Sequence, residues 1–240
     1  MTTSFTGKTT PTFSTADWQA ILDRALASFR PNELAEHALH TKPERRLRDA
    51  IAASLQTQTG QPVVTEWPVS PGFVDVVALM DREPAVWVEL KTAYTFDAVC
   101  SGGAILLAGK SGRGHSVASD VAKLQRAARG EAYVVYSAVH PEGSLPDWAR
   151  GEVVVADYFD KHTSALRRYA VDRLPLLNDR MCERFGQSGE VDGYRSETGH
   201  FPLTHVLTHQ AMIGTALQVR VSLHTWLWRV SRLRADLRPA

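Results

Sequence analysis

The chain reads as an α/β protein with a mixed central sheet, on three observations. Helical apolar periodicity fills most of residues 14–56. Three short β-type runs follow between residues 61 and 92. A helical pattern at 117–129 then leads straight into an apolar strand at 131–139.

The first helix spans Ser14 to Phe29. Ser14 or Thr15 caps it, Asp17 suits its first turn, and Trp18, Ile21, Leu22, Ala25, Leu26 and Phe29 form the apolar stripe, with Pro31 as the stop. Glu33 to Leu39 adds a short helical turn. A further helix runs from Pro43 to Gln56, burying Leu47, Ala50, Ile51, Ser54 and Leu55. Glu44 opens that helix, near its core-facing edge. Gln61 to Val69, which contains Glu66, is the first strand.

Gly72 to Thr92 (GFVDVVALMDREPAVWVELKT) reads as two apolar strands joined by a polar turn, Met80 to Pro84, with Pro84 resetting the chain between them. Three charges sit in these apolar runs: Asp75, Glu89 and Lys91. A buried strand tolerates charge when the charges are paired, bind metal or serve a site at the sheet's edge. Glu89 and Lys91 are two apart and share one strand face, and a hairpin brings Asp75 alongside Glu89. Two carboxylates and a lysine in one cleft have the chemistry for a hard divalent cation and a polarised water.

The pattern Asp75, thirteen residues, then Glu89-Leu90-Lys91 at the ends of consecutive strands resembles the PD-(D/E)XK nuclease superfamily, although Val74 stands where that family's proline does. The resemblance covers about residues 43–158. It implies a restriction-endonuclease-like, three-layer α/β/α core. It also implies Mg²⁺ (Mn²⁺ as a substitute) held by Asp75, Glu89 and the Leu90 carbonyl, with Lys91 acting on the attacking water. The family's helix before the sheet often carries another acid that reaches the site. Glu44 is the candidate and Glu66 its competitor, while an acid at a helix start also complements the helix dipole in any protein.

Residues 92–116 form a glycine-rich loop directly after the candidate site, where Lys110, Arg113 and His115 are placed to meet phosphates. Gly109-Lys110-Ser111 is not a P-loop, because Ala104 occupies the position of its first glycine. Val117 to Arg129 is a helix ended by Gly130. Its Asp120-Val121-Ala122-Lys123-Leu124 looks like the D-x-x-K-L of many superfamily members, so Lys123 is a candidate phosphate contact and Gln125 is assigned to the exposed face. Glu131 to Val139 is a central strand, a turn follows over Pro141–Pro146, and Glu152 to Tyr158 is another strand.

The expected division is a loose tail over 1–14, a core over 15–159, and a helical or mixed extension over 160–240, packed on the core for DNA recognition or dimerisation. Within the extension, Lys161 to Phe185 reads as mostly helical. Leu217 to Leu223 alternates as a strand, and the Arg229–Arg238 end turns helical. Residues 1–159 carry 15 Lys/Arg against 18 Asp/Glu, and residues 160–240 carry 12 against 8 with five histidines, a modestly basic second part. No apolar run reaches membrane-span length, and the polar start has no signal-peptide core. Cys100 and Cys182 are far apart and read as free thiols of a cytoplasmic protein. His200, His205 and His209 lack the companions of a zinc site.

Two function classes follow. One is a metal-dependent DNA endonuclease of restriction or anti-phage defence, with repair or recombination as the alternative role and a homodimer as the natural way to cut a duplex. The other is a non-catalytic module that binds nucleic acid or protein in the same cleft. Ion-paired edge residues of an unrelated α/β protein are a third explanation of the three charges. No organic cofactor is called for.

Overall fold

A computed structural model describes residues 12–94, 117–142, 148 and 203–231. These residues form four helices and one open six-stranded mixed sheet of order β1-β2-β3-β4-β6-β5.

Helix α1 (Thr15–Ala27) starts at a reciprocal cap. The Ser14 hydroxyl accepts the Asp17 N–H, and the Asp17 carboxylate accepts the Ser14 N–H at 2.9 Å. Trp18, Ile21, Leu22 and Ala25 are its buried stripe. Helix α2 (Glu33–His40) buries Leu34, Ala35, Ala38 and Leu39, and α3 (Glu44–Thr59) buries Leu47, Ala50, Ile51, Ser54 and Leu55. Gly60, at φ +64, ends α3 in the left-handed conformation that glycine adopts without steric cost.

Strands β1 (Val63–Pro68), β2 (Phe73–Met80) and β3 (Glu83–Tyr94) make an antiparallel meander. The β2–β3 turn is tighter than the expected Met80–Pro84. Met80 already pairs with Glu83, and only Asp81 and Arg82 turn, both at positive φ. Pro84 therefore lies within β3, opposite Leu79 and beside a register shift at Ala78/Leu79, an irregularity of the kind where a strand tolerates proline.

Helix α4 (Val117–Ala127) then carries the chain across to β4 (Glu131–Glu142), which runs parallel to β3. Strand β4 continues through Pro141 because Pro141 and Glu142 pair with Val221 and Arg220. Gly130 does more than end a helix. A Cβ there would stand 1.8 Å from the Ala85 carbonyl oxygen, so the close β3–β4 approach excludes a side chain.

Among the described residues, those from 203 onward depart most from expectation. Residues 203–230 form a long hairpin, β5 (Leu203–Ala216) and β6 (Val219–Val230), with β6 paired antiparallel to β4 along its length. These residues extend the sheet itself instead of packing on a finished core. Leu217 belongs to the turn and Arg229 is still strand, while residues 232–238 of the expected helical end lie outside the described residues. The expected strand at 152–158, the helix at 161–185, the 1–11 tail and both cysteines lie outside the described residues.

Strand alternation splits the buried side chains into two cores. Val86, Val88, Leu90, Tyr133, Val135, Leu223 and Leu227 pack with α1–α3. Trp87, Ala93, Val134, Tyr136, Trp226 and Trp228 pack with Val117, Val121 and Leu124 of α4. Helices thus cover both sheet faces among the described residues, and none of them is long and apolar enough to cross a membrane.

Candidate active site: a carboxylate–lysine cluster on β2, β3 and α4

The β2–β3 register pairs Val76 with Val88, and one further step sets Asp75 opposite Glu89. Asp75 is tied down by the backbone: its Oδ2 accepts the Leu90 N–H at 2.8 Å. Glu89 is only 1% exposed. Lys91, two residues on, shares its strand face, which is the face covered by α4.

Helix α4 supplies the rest of the cluster. Asp120, 4% exposed, is a first-turn acid whose Oδ2 lies 3.2 Å from Lys91 Nζ. One turn on, Lys123 Nζ lies 2.6 Å from Glu89 Oε1 and 3.5 Å from Asp120 Oδ1, and it donates to the Phe73 carbonyl at 2.8 Å. Hydrophobic side chains hold the helix in this position, because Val117, Val121 and Leu124 are buried against the sheet. Glu44 joins from the other side. Its Oε2 accepts the Thr92 N–H at 2.8 Å, and its charge reaches Lys91.

Four carboxylates face two lysines in this largely buried cluster, and their protonation reflects it. Burial, then the charges of Asp120 and Asp75, push the Glu89 carboxyl up to about 9, with Lys123 working against them. Burial likewise raises Asp120, although Lys91 and Lys123 pull it down. Burial works to lower Lys91, but the charges of Asp120 and Glu44, a hydrogen bond to Asp120 and the charge of Glu89 outweigh it and raise its pKa.

The structure therefore brings together Asp75, Glu89, Lys91, Glu44 and Lys123 from the expected set. Glu66, the competitor of Glu44, points elsewhere: its carboxylate pairs with Arg48 at 2.6 Å and its side chain is 58% exposed. The expected phosphate contact, Lys123, is turned inward onto Glu89 and Asp120. Gln125, assigned to the exposed face, donates to the Ser231 carbonyl at 3.2 Å. Lys110, Arg113 and His115 lie outside the described residues. Asp120 is the site residue that sequence reasoning did not assign. Its signal was present in the D-x-x-K spacing, which sets Asp120 and Lys123 on one helix face.

Among the described residues no group of three or more His, Cys, Asp or Glu side chains is arranged to hold a metal ion. The donors on offer are the Asp75 and Glu89 carboxylates and the Leu90 carbonyl. Their chemistry fits a hard divalent cation, because they are all oxygen donors in a cluster with more carboxylates than lysines. The histidines have other partners: His205 meets Thr208 at 3.0 Å, and His209 meets Asp23 at 2.9 Å. Compared with protein-family models, curated proteins and solved structures, the chain matches none of them.

Proposed function

We propose that this protein is a metal-dependent nuclease of the PD-(D/E)XK type, with a restriction-endonuclease-like core, hydrolysing phosphodiester bonds in DNA. The observation that carries the reading is the juxtaposition of Asp75, Glu89 and Lys91 on neighbouring strands, in a buried cluster with more carboxylates than lysines. Asp75, Glu89 and the Leu90 carbonyl would hold Mg²⁺, or Mn²⁺ in its place, which supplies Lewis-acid polarisation of the phosphate and of the attacking water.

The chain's own residues then divide the work. Asp75, fixed by the Leu90 N–H, keeps its carboxylate aimed without conformational search. Glu44 anchors the backbone at Thr92, one residue beyond Lys91. Lys91 is an ammonium ion at neutral pH and its acidic neighbours favour that form, so it contributes charge and hydrogen-bond donation. It orients the attacking water and offsets the negative charge that grows on the phosphoryl oxygens as the new P–O bond forms and the bond to the leaving oxygen breaks. The attacking water gives up its proton to solvent, and the displaced oxygen leaves with a proton taken from solvent.

A role in restriction or anti-phage defence rests on the resemblance, with repair or recombination behind it. A second reading has one observation in its favour: both lysines already have carboxylate partners, which also suits a non-catalytic binding module or a structural ion-pair network. Incubation with plasmid, linear duplex, single-stranded DNA and RNA, each with Mg²⁺, Mn²⁺ or EDTA, separates them. The nuclease reading expects cleavage that EDTA stops. Substrates left intact under every metal condition favour the binding module.

A further inference from the structure

We propose that Asp120 is the positioning residue of this site, holding Lys91 over the Asp75–Glu89 pair; the proposal rests on the nuclease reading. Three observations carry it, set against a general property of lysine. Lysine has a long, flexible stem, and a lysine on an otherwise unpaired strand face spreads over many rotamers, at an entropic cost whenever one is required. Here Lys91 meets a carboxylate at 3.2 Å, and that carboxylate belongs to a different element. Asp120 is itself held: its side chain is 5% exposed, and its other oxygen lies 3.5 Å from Lys123 one helical turn away. Finally, the turn that carries it is anchored by Val117 and Val121 in the second core, so its position is set by packing and not by the site.

The chemistry of the arrangement separates Asp120 from the other acids. Asp75 and Glu89 face each other across β2 and β3, whereas Asp120 sits between two ammonium groups. Its charge is used on the lysines. Lys123 then ties the same helix to Glu89 in the middle of β3 and to the Phe73 carbonyl at the start of β2, so α4 fixes both Lys91 and the strands that carry the two acids. Removing the Asp120 charge leaves Lys91 on its strand with freedom to leave the cluster.

The test uses the full chain with Asp120→Asn, close in size to the native residue, and Asp120→Glu, which restores a carboxylate. Labelling of Lys91 by a water-soluble amine-reactive ester, mapped by mass spectrometry in metal-free protein, reads the pairing directly and needs no cleavage. Turnover in Mg²⁺ and duplex affinity in Ca²⁺ read its consequence. Asp120→Asn should raise Lys91 labelling several-fold and lower kcat about 100-fold, as expected for a misplaced catalytic group, with affinity changed by less than about threefold. Asp120→Glu should recover part of both effects. Unchanged Lys91 labelling in Asp120→Asn overturns the proposal, as does raised labelling with an unchanged kcat. A wild type inert on every substrate overturns the nuclease reading and this proposal with it, whereas an active wild type with an unaffected Asp120→Asn overturns this proposal alone.

Discussion

Glu44 Oε2 accepts the backbone N–H of Thr92 at 2.8 Å, across forty-eight residues of chain. The contact joins the first turn of α3 to β3 one residue past Lys91, so a helix that is remote in sequence fixes the end of the strand carrying two candidate site residues. Glu66, by contrast, spends its charge on Arg48 at the surface.

Glu44→Gln keeps an oxygen for the Thr92 N–H but removes the charge that reaches Lys91, and should reduce DNA cleavage by at least about tenfold, the usual cost of altering an outer partner of a metal site. Glu66→Gln removes an exposed ion pair, worth well under about 1 kcal/mol, and should leave cleavage near the wild-type rate. Parallel initial-rate assays decide between them, and the reverse ranking would move the role of the third acid to β1.

Lys91→Ala separates action on the reaction from simple holding of DNA. A lysine that works in the transition state lowers turnover when lost and leaves ground-state binding almost unchanged. The expected result is near-normal duplex affinity in Ca²⁺ with cleavage in Mg²⁺ slower by about two orders of magnitude or more. A collapse in affinity, with a weaker salt dependence, would mark Lys91 as a phosphate contact.

Acid should destabilise the fold through His140, which is held neutral. Burial first, and the neighbouring His224 second, push its pKa down from 6.5 to about 4, with Glu142 opposing. The unfolded chain then binds the extra proton between those values, so this contribution is intact above pH 6.5 and lost as pH falls towards 4. At pH 5 the loss is about 2 kcal/mol, and His224, also lowered by burial, adds to it in the same direction. Urea midpoints at pH 8 and pH 5 should differ less for His140→Gln than for the wild type. An equal acid loss in both proteins would show that His140 is not the titrating group.

The legible parts of the fold were those written in local pattern. The α1 cap at Ser14 and Asp17, the stripes of α1 and α3, and the apolar meander with its three charges all follow from spacing. So does the side-by-side placement of Asp75 and Glu89, because a hairpin leaves few registers once one face is buried. The β5–β6 hairpin was only half legible. Its turn is Leu217-Gln218, both at positive φ, and neither residue is among those that mark such turns. Strand β5, with His205, Thr208, His209 and Gln210 among its apolar residues, lacks a clean alternation, since its outer edge is unpaired among the described residues. Asp120 was hidden for another reason. Its motif was visible, but its partner Lys91 lies across the sheet–helix interface, and periodicity reports which residues face inward without naming what they meet. The partner of Lys123 was hidden for the same reason: a basic residue near a nuclease-like site suggests phosphate, and its contact with Glu89 across the same interface is not written in the local pattern.

The measurement closest to the central claim is plasmid cleavage in Mg²⁺ by Asp75→Ala beside the wild type, with thermal melting of both proteins. Asp75 is part-buried and its Oδ2 holds the Leu90 N–H, so a modest fall in Tm is expected along with retention of the fold. The wild type should nick or linearise the plasmid in Mg²⁺ and stop in EDTA, while folded Asp75→Ala leaves it supercoiled. Undiminished metal-dependent cleavage by Asp75→Ala would contradict the assignment of this cluster as the active site.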